Sequence, residues 1–329
     1  MSTATAPTTT SDKQAEWFGQ QFDGLVDSVE RVIVGKRDVV RLALIALFAE
    51  GHLLLEDVPG TGKTSLAKAL AQSIDGKWNR IQFTPDLLPS DVTGSTVYNQ
   101  SKGTFEFHPG PVFANIVLGD EINRASPKTQ SALLEVMEEH QVTVDSQPYP
   151  VQRPFMVIAT QNSIEFEGTY RLPEAQLDRF LMKIGIGYLD TNDEIDVLAR
   201  HGRPSSAEAL SPVIASNQVR AMVQIAEQVH VEPSIAAYVV GIAQATRRLD
   251  GVRLGVSTRG CLSLMRAARV HAIAAGRSFV RPDDIKALVV PVLEHRLMLN
   301  PEAEMRGTRS SDLLGRVLAD VTPPRRRGE

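Results

Sequence analysis

The chain carries a single cysteine, Cys261, in 329 residues. One thiol excludes an intramolecular disulfide framework and fits a reducing compartment, with the cytoplasm as the expected location. A strong excess of one charge is also missing. The formal net charge is -4 and no long basic run dominates, which excludes a polycation built for nucleic acid as a whole. Long hydrophobic runs are absent too. The most apolar stretch, Leu42 to Ala49, is closed off by Arg41 and Glu50; it is too short to span a bilayer and reads as a buried helix. Met1 to Asp12 is rich in Ser, Thr, Ala and Pro and lacks a basic start and an apolar stretch. It therefore reads as a disordered tail, not a signal peptide. There is no internal repeat. His52, His108, His140, His230 and His295 lack ligand spacing and read as surface or packing residues, not a metal site.

What is present is an ordinary globular balance, 43% hydrophobic, long enough for two domains and a core that needs no staples. The first two-thirds alternates short apolar segments with helical ones, which predicts a parallel sheet with covering helices. Five strands are expected, at Leu53–Leu55, Arg80–Phe83, Asn115–Leu118, Phe155–Thr160 and Met182–Tyr188. A hairpin is expected over Gln141–Val151, turning at Asp145-Ser146-Gln147-Pro148. From about residue 216 the spacing becomes helical, as in Val219, Met222, Val223, Ala226 and Val229. Pro233 and Pro282 sit at helix starts, and Gly276 at a helix stop. The resulting division is a tail at 1–13, an α/β core at 14–190, a linker at 191–215, a helical lid at 216–300, and a C-terminal segment and tail at 301–329.

The first expected strand runs into Glu56-Asp57-Val58-Pro59-Gly60-Thr61-Gly62-Lys63-Thr64-Ser65 and then into the strong helix former Leu66 to Ala71. Strand, glycine loop, Lys-Thr and helix form the context of a phosphate-binding loop. Gly60 and Gly62 let backbone N–H groups face inward, and these donors at a helix N-terminus favour phosphate. Lys63 can reach the terminal phosphates of ATP, and the Thr64 hydroxyl can ligate Mg²⁺. One position departs from the strict pattern: Asp57 stands where a glycine is expected, six residues before the lysine. The bland alternative, a glycine turn capping an ordinary helix, does not account for this whole context.

Asn115 to Gly119 leads into Asp120-Glu121. Adjacent carboxylates at the end of a buried strand repel each other, and burial penalises both charges. A divalent cation would remove the conflict, with Asp120 supporting Mg²⁺ and Glu121 polarising an attacking water. As a helix N-cap, Ser126 followed by Pro127 is the better candidate. The apolar run Phe155 to Thr160 ends in Gln161-Asn162, and open α/β sheets place ligands at such strand ends. Asn162 could orient the water or sense the γ-phosphate; a turn-forming Asn is the alternative.

Taken in order and spacing, these motifs resemble the MoxR family of AAA+ ATPases. The resemblance covers about Val29 to Leu297. It is carried by Glu56–Thr64, Gly119-Asp120-Glu121-Ile122-Asn123-Arg124-Ala125, Ala159-Thr160-Gln161-Asn162 and Pro173-Glu174-Ala175-Gln176-Leu177-Asp178-Arg179-Phe180. It implies a P-loop AAA+ core followed by a helical lid, with ATP and Mg²⁺ as cofactors. It also implies that Gly35, in Val34-Gly35-Lys36, packs near adenine, with Lys36 where such proteins often carry Gln. The ATP-binding set becomes Gly35, Pro59, Gly60, Thr61, Gly62, Lys63, Thr64, Ser65 and Arg259, with Thr64 and Asp120 on the metal. Arg179 is implied as an arginine finger reaching the neighbouring subunit's ATP, its alternative being an in-chain salt bridge to Asp178 or Glu174. Arg259 is implied as a lid sensor. A cation in a helix's first turn opposes the macrodipole by roughly 0.3–1 kcal/mol, a cost that a bound phosphate would reverse. An insertion over Ser90–Val112 and the 141–151 hairpin are implied to line a pore.

The expectation is an ATP hydrolase acting as a ring, a hexamer by family default, that remodels or matures partner proteins, often ones with von Willebrand factor A domains. A nucleic-acid motor is the alternative, but the pore hairpin carries Asp145 and no Lys or Arg, poor material for gripping phosphates. A slow nucleotide-gated switch is the third reading.

Overall fold

Residues 10–58, 60–161, 170, 172–200 and 210–324 are described by the computed structural model of the chain. Helices α1 (Asp12–Glu30) and α2 (Arg37–Phe48) come first, and the apolar run of α2 is buried from Ala43 to Phe48. Strand β1 (Leu53–Glu56) enters the glycine loop, and α3 (Lys63–Ser73) leaves it. Next come β2 (Trp78–Gln82), the short α4 (Pro89–Thr93), and the antiparallel hairpin β3 (Gly94–Asn99) and β4 (Thr104–Pro109), which fills the expected insertion. Strand β5 (Ile116–Asp120) leads through a 3-10 turn to α5 (Pro127–Glu139). Ser126 caps α5, its hydroxyl accepting the Thr129 N–H. The expected hairpin follows as β6 (Gln141–Val144) and β7 (Gln147–Pro150). Both turn residues, Asp145 and Ser146, have positive φ, the signature of a two-residue turn that matches strand twist. Strand β8 (Met156–Gln161), α6 (Glu174–Leu177), β9 (Met182–Ile184) and α7 (Thr191–Arg200) complete this part.

The five-stranded sheet has the order β2-β5-β8-β1-β9, and β2–β5, β5–β8 and β8–β1 are parallel. Its central strands are apolar on both faces, as a doubly covered parallel sheet requires: Ile116 to Leu118 and Met156 to Ala159 are all buried. Leu54, Phe83, Val117, Leu133, Val157 and Phe180 share the core cluster. Register aligns the carboxyl ends, with Gln82 opposite Asp120, Leu55 opposite Thr160 and Glu56 opposite Gln161. The chain leaves β1 for β2 at the far side of the sheet, so the ends of β1, β8 and β5 converge where such sheets bind ligands.

Contacts divide the chain into two units, residues 24–180 with 184–220, and residues 1–23 with 181–183 and 221–329. The C-terminal part holds α8 (Ser216–Glu227), α9 (Pro233–Thr246), the strand β10 (Val252–Leu254), α10 (Thr258–Ala274), α11 (Pro282–Leu293), β11 (Met298–Leu299), α12 (Pro301–Met305) and α13 (Ser310–Asp320). Pro233 and Pro282 open their helices, and Gly276, at φ 69°, follows the end of α10. A short antiparallel ribbon, β10 with β11, joins the helices.

Three sequence expectations change. The stretch 191–215 is not all linker, since Thr191–Arg200 is helical with Asp193 and Glu194 in its first turn, where negative charge complements the dipole; the turn formers come only afterwards. Residues 10–13 are not tail: α1 starts at Asp12, and the buried Thr10 donates from its hydroxyl to the Ile225 carbonyl at 2.9 Å. The segment after residue 300 continues the lid, because α13 buries Leu313, Leu314 and Val317 and packs on α9 and α11. Cys261 is half-buried on α10, and burial raises its thiol pKa. Among the described residues no helix is long and apolar enough to cross a membrane.

Candidate nucleotide site

The glycine loop has the conformation its residues predict. Gly60 and Gly62 sit at φ 86° and 91°, a region that a side chain resists. Gly62 is the N-cap of α3, and its carbonyl accepts the Leu66 N–H at 2.9 Å. Lys63, only 9% exposed, extends back over the loop and donates to the carbonyls of Asp57 and Val58 at 3.1 and 3.2 Å. Thr61 closes the same turn by donating to Val58 O at 3.3 Å. A largely buried ammonium resting on carbonyls, at a helix N-terminus, is matched to an anion. Thr64 is half-buried and Ser65 exposed in the first turn of α3. Pro59 lies outside the described residues.

The acidic pair stands at the end of β5, and Thr160 on β8 organises it. The buried Thr160 hydroxyl donates to Asp120 Oδ1 at 2.6 Å and accepts the Glu121 N–H at 2.9 Å. Glu121 has φ 57° and ψ 49°, which turns its side chain away from the line of the strand. Its carboxylate accepts from Arg124 at 2.9 Å and from the Gln82 amide at 3.1 Å. Arg80 meets the second oxygen of Asp120 at 2.5 Å. The repulsion between the two carboxylates, which a divalent cation would relieve, is also met from within the chain by Arg80, Arg124, Gln82 and Thr160. The metal fit is retained on donor chemistry, since the Thr64 hydroxyl and the Asp120 carboxylate are the oxygen ligands that Mg²⁺ takes.

Other expected residues fall in different places. Strand β8 ends at Gln161, and Asn162 lies outside the described residues. Gly35 is held at φ 69°, a conformation that favours glycine, and a Cβ on it would lie 1.7 Å from Asp193 Oδ2, so that side chain would have to move. Lys36 donates from Nζ to the Tyr188 carbonyl at 2.6 Å. Arg179 pairs in its own chain with Glu138, at 2.9 Å, on the neighbouring α5. Arg259 is exposed in the first turn of α10, in the second unit.

Thr160, Arg80, Gln82 and Arg124 were missed as functional residues. The signals were weak but present: Arg80 and Gln82 alternate on one face of β2, Arg124 stands three residues after Glu121, and Thr160 ends a buried strand opposite the glycine loop's own strand.

A model of the ATPase family associated with various cellular activities (AAA) matches residues 52–182, and a model of the AAA lid domain matches residues 244–317. A protein of Mycobacterium tuberculosis named Chaperone MoxR1 is 40% identical over 306 residues, covering 90% of this chain and 80% of its own length. Protein MoxR of Methylorubrum extorquens is 34% identical over 321 residues, covering 90% and 93%. The chain belongs to the MoxR family of AAA+ ATPases. It is also similar to YeaC of Bacillus subtilis, an uncharacterized protein 51% identical over 299 residues, which cover 91% of this chain and 93% of that one. A crystal structure of a candidate ATPase from Cytophaga hutchinsonii superposes with a TM-score of 0.89 at 38% identity, covering 95% of this chain and 98% of that one.

Proposed function

We propose that this MoxR-family protein hydrolyses ATP at the Lys63 loop, using Glu121 as the base. The observation that carries the reading is that the Lys63 ammonium, poised at a helix N-terminus after β1, and the Asp120–Glu121 pair at the end of β5 stand at the carboxyl ends of the two strands that flank β8. Lys63 and the loop amides, with Gly60, Thr61, Gly62 and Ser65, would hold the phosphates, and Thr64 and Asp120 would hold Mg²⁺. The metal supplies charge neutralisation on the phosphates. Glu121 accepts a proton as water attacks the γ-phosphorus; the bond to the β–γ bridging oxygen breaks, leaving ADP and phosphate. Gln82 and Arg124 orient the Glu121 carboxylate before that step. Asn162 would order the water, Gly35 would border the base, and Arg259 would report from the lid.

The working form we propose is a cytoplasmic ring, a hexamer by family default, in which Arg179 completes the neighbouring subunit's site. Nucleotide-driven changes would act on a partner protein, with von Willebrand factor A domains as candidate clients. A relative that carries the name chaperone supports this role. A nucleic-acid motor is disfavoured by charge: Lys102 of the β3–β4 hairpin is spent on Glu106 at 2.8 Å, and the β6–β7 hairpin offers Asp145 and no cation.

The decisive experiment is Glu121→Gln. It should bind ATP with wild-type affinity and lose turnover by about 10²-fold or more. Normal turnover removes Glu121 as the base. Trapping of a client by the same variant in ATP, identified by pull-down, tests the chaperone role, and salt-sensitive stimulation of turnover by DNA or RNA would favour the motor instead.

A further inference from the structure

The position that departs from the strict phosphate-loop pattern is bonded three times over. Asp57 stands between β1 and the two glycines, and its carboxylate accepts three backbone N–H groups. Oδ1 takes Val58 N at 2.8 Å, while Oδ2 takes Ile186 N at 2.7 Å and Gly187 N at 2.6 Å. Ile186 and Gly187 follow β9, the strand next to β1 in the sheet. Gly187 has φ 69°, so two successive amides turn toward one oxygen, a small anion-binding nest filled here by the chain's own carboxylate. The same short segment is held from its other side, where Lys36 donates to Tyr188 O at 2.6 Å.

A carboxylate beside a triphosphate site is electrostatically unfavourable unless its charge is consumed. Here three short, charge-assisted bonds consume it, and the Lys63 ammonium meets the carbonyl of Asp57, 3.1 Å away. The geometry points to Asp57 as a positioning residue that clamps the phosphate loop to residues 186–188, so that the loop carrying Lys63 and the segment after β9 move as one body when nucleotide binds. This rests on the Lys63 loop being the ATP site. A glycine at position 57, as in the strict pattern, can make none of the three bonds. An asparagine offers only one acceptor oxygen and sets its amide against an N–H, so it can keep either the Val58 bond or the Ile186–Gly187 pair.

The test compares wild type, Asp57→Gly, Asp57→Asn and Lys63→Ala in ATP affinity, thermal midpoint and hydrogen exchange of the peptide spanning 184–188, each at saturating ATP and without nucleotide. The expected result is at least a tenfold weaker ATP affinity in Asp57→Gly, although this change restores the strict motif, with a smaller loss in Asp57→Asn. ATP should slow exchange over 184–188 in wild type, and this protection should vanish in Asp57→Gly at saturating ATP. A merely stabilising residue would lower the thermal midpoint and leave the nucleotide-linked protection in place. Affinity within threefold of wild type in Asp57→Gly, or protection retained at saturation, overturns the clamp. Lys63→Ala separates the two levels. If it binds ATP as wild type does, the site itself is misassigned; if it loses ATP while Asp57→Gly does not, only the clamp falls.

Discussion

Arg80 reaches from β2 to the last residue of β5 and pairs with Asp120 at 2.5 Å, on the oxygen that Thr160 leaves open. The guanidinium thus occupies the carboxylate assigned to Mg²⁺. Its side chain is 47% exposed, so the pair adds little to folding, on the order of 0–1 kcal/mol. Its consequence falls on metal competition. Arg80→Met keeps the apolar stem and removes the charge, and should lower the Mg²⁺ concentration that half-saturates ATP binding by roughly fivefold, the equivalent of ~1 kcal/mol. A Mg²⁺ titration of fluorescent-nucleotide binding reads this directly, and an unchanged midpoint would remove Arg80 from the metal's surroundings.

Thr160 is fully buried and serves both acidic residues with one hydroxyl. Thr160→Val keeps the shape and removes the oxygen, leaving the Glu121 N–H and one Asp120 oxygen without this partner. The cost should be about 1–3 kcal/mol of stability, measurable as a lower denaturant midpoint at unchanged slope. Turnover should fall more than ATP affinity does, because the hydroxyl touches the groups assigned to metal and water and not the phosphate loop. Equal losses in both would mean that the whole sheet end has shifted.

The strands and the site were legible to different depths. Doubly buried parallel strands announce themselves as apolar runs, and all five expected strands overlap observed ones. Their spatial order does not follow from the runs, and it is the order that puts Thr160 between Asp120 and the glycine loop. Gly60, Gly62 and Lys63 could be read because phosphate chemistry demands those residue types in sequence. Arg80, Gln82 and Arg124 could not, because their roles depend on cross-strand register and on the left-handed turn at Glu121. Asp57 was visible as an exception, but its partners, 129 and 130 residues away, were not. The helix at 191–200 hid because the nearby turn formers drew the boundary too early.

Stability of the lid should depend on pH through Asp284. Its side chain is 2% exposed and accepts from Arg277, from His271 at 2.7 Å and from the Arg281 N–H at 2.7 Å. Burial alone would raise its pKa; hydrogen bonds from Arg277, His271 and Arg281 outweigh burial and hold it at about 2. The folded value lies below the unfolded one, near 3.8. The contribution, ~2 kcal/mol, is therefore fully present above about pH 4 and is lost as pH falls toward 2. Asp284→Asn should lose on the order of 3 kcal/mol at neutral pH, because Arg277 is left uncompensated, and should flatten the acid limb between pH 4 and 2. Thermal unfolding across that range checks both parts.

Arg179 supports two roles that a single substitution cannot separate. In its own chain it pairs with Glu138 at 2.9 Å, with 29% of its side chain exposed; in a ring it would complete the neighbour's site. If the ion pair is the whole of its purpose, Glu138→Gln and Arg179→Ala should cost the same, and ATP turnover should follow stability in both. If Arg179 acts in trans, Glu138→Gln should keep most turnover, while Arg179→Ala should lose 10²-fold or more with ATP binding intact. Subunit mixing then decides the question. A Lys63→Ala subunit cannot hold ATP but supplies Arg179, and an Arg179→Ala subunit holds ATP but lacks the finger. Each preparation alone should be inactive. In a random mixture about a quarter of interfaces join an intact loop to an intact arginine, so closed assembly predicts recovery toward a quarter of wild-type turnover. Recovery near zero, with both variants folded and assembled, would return Arg179 to its own chain, as the partner of Glu138.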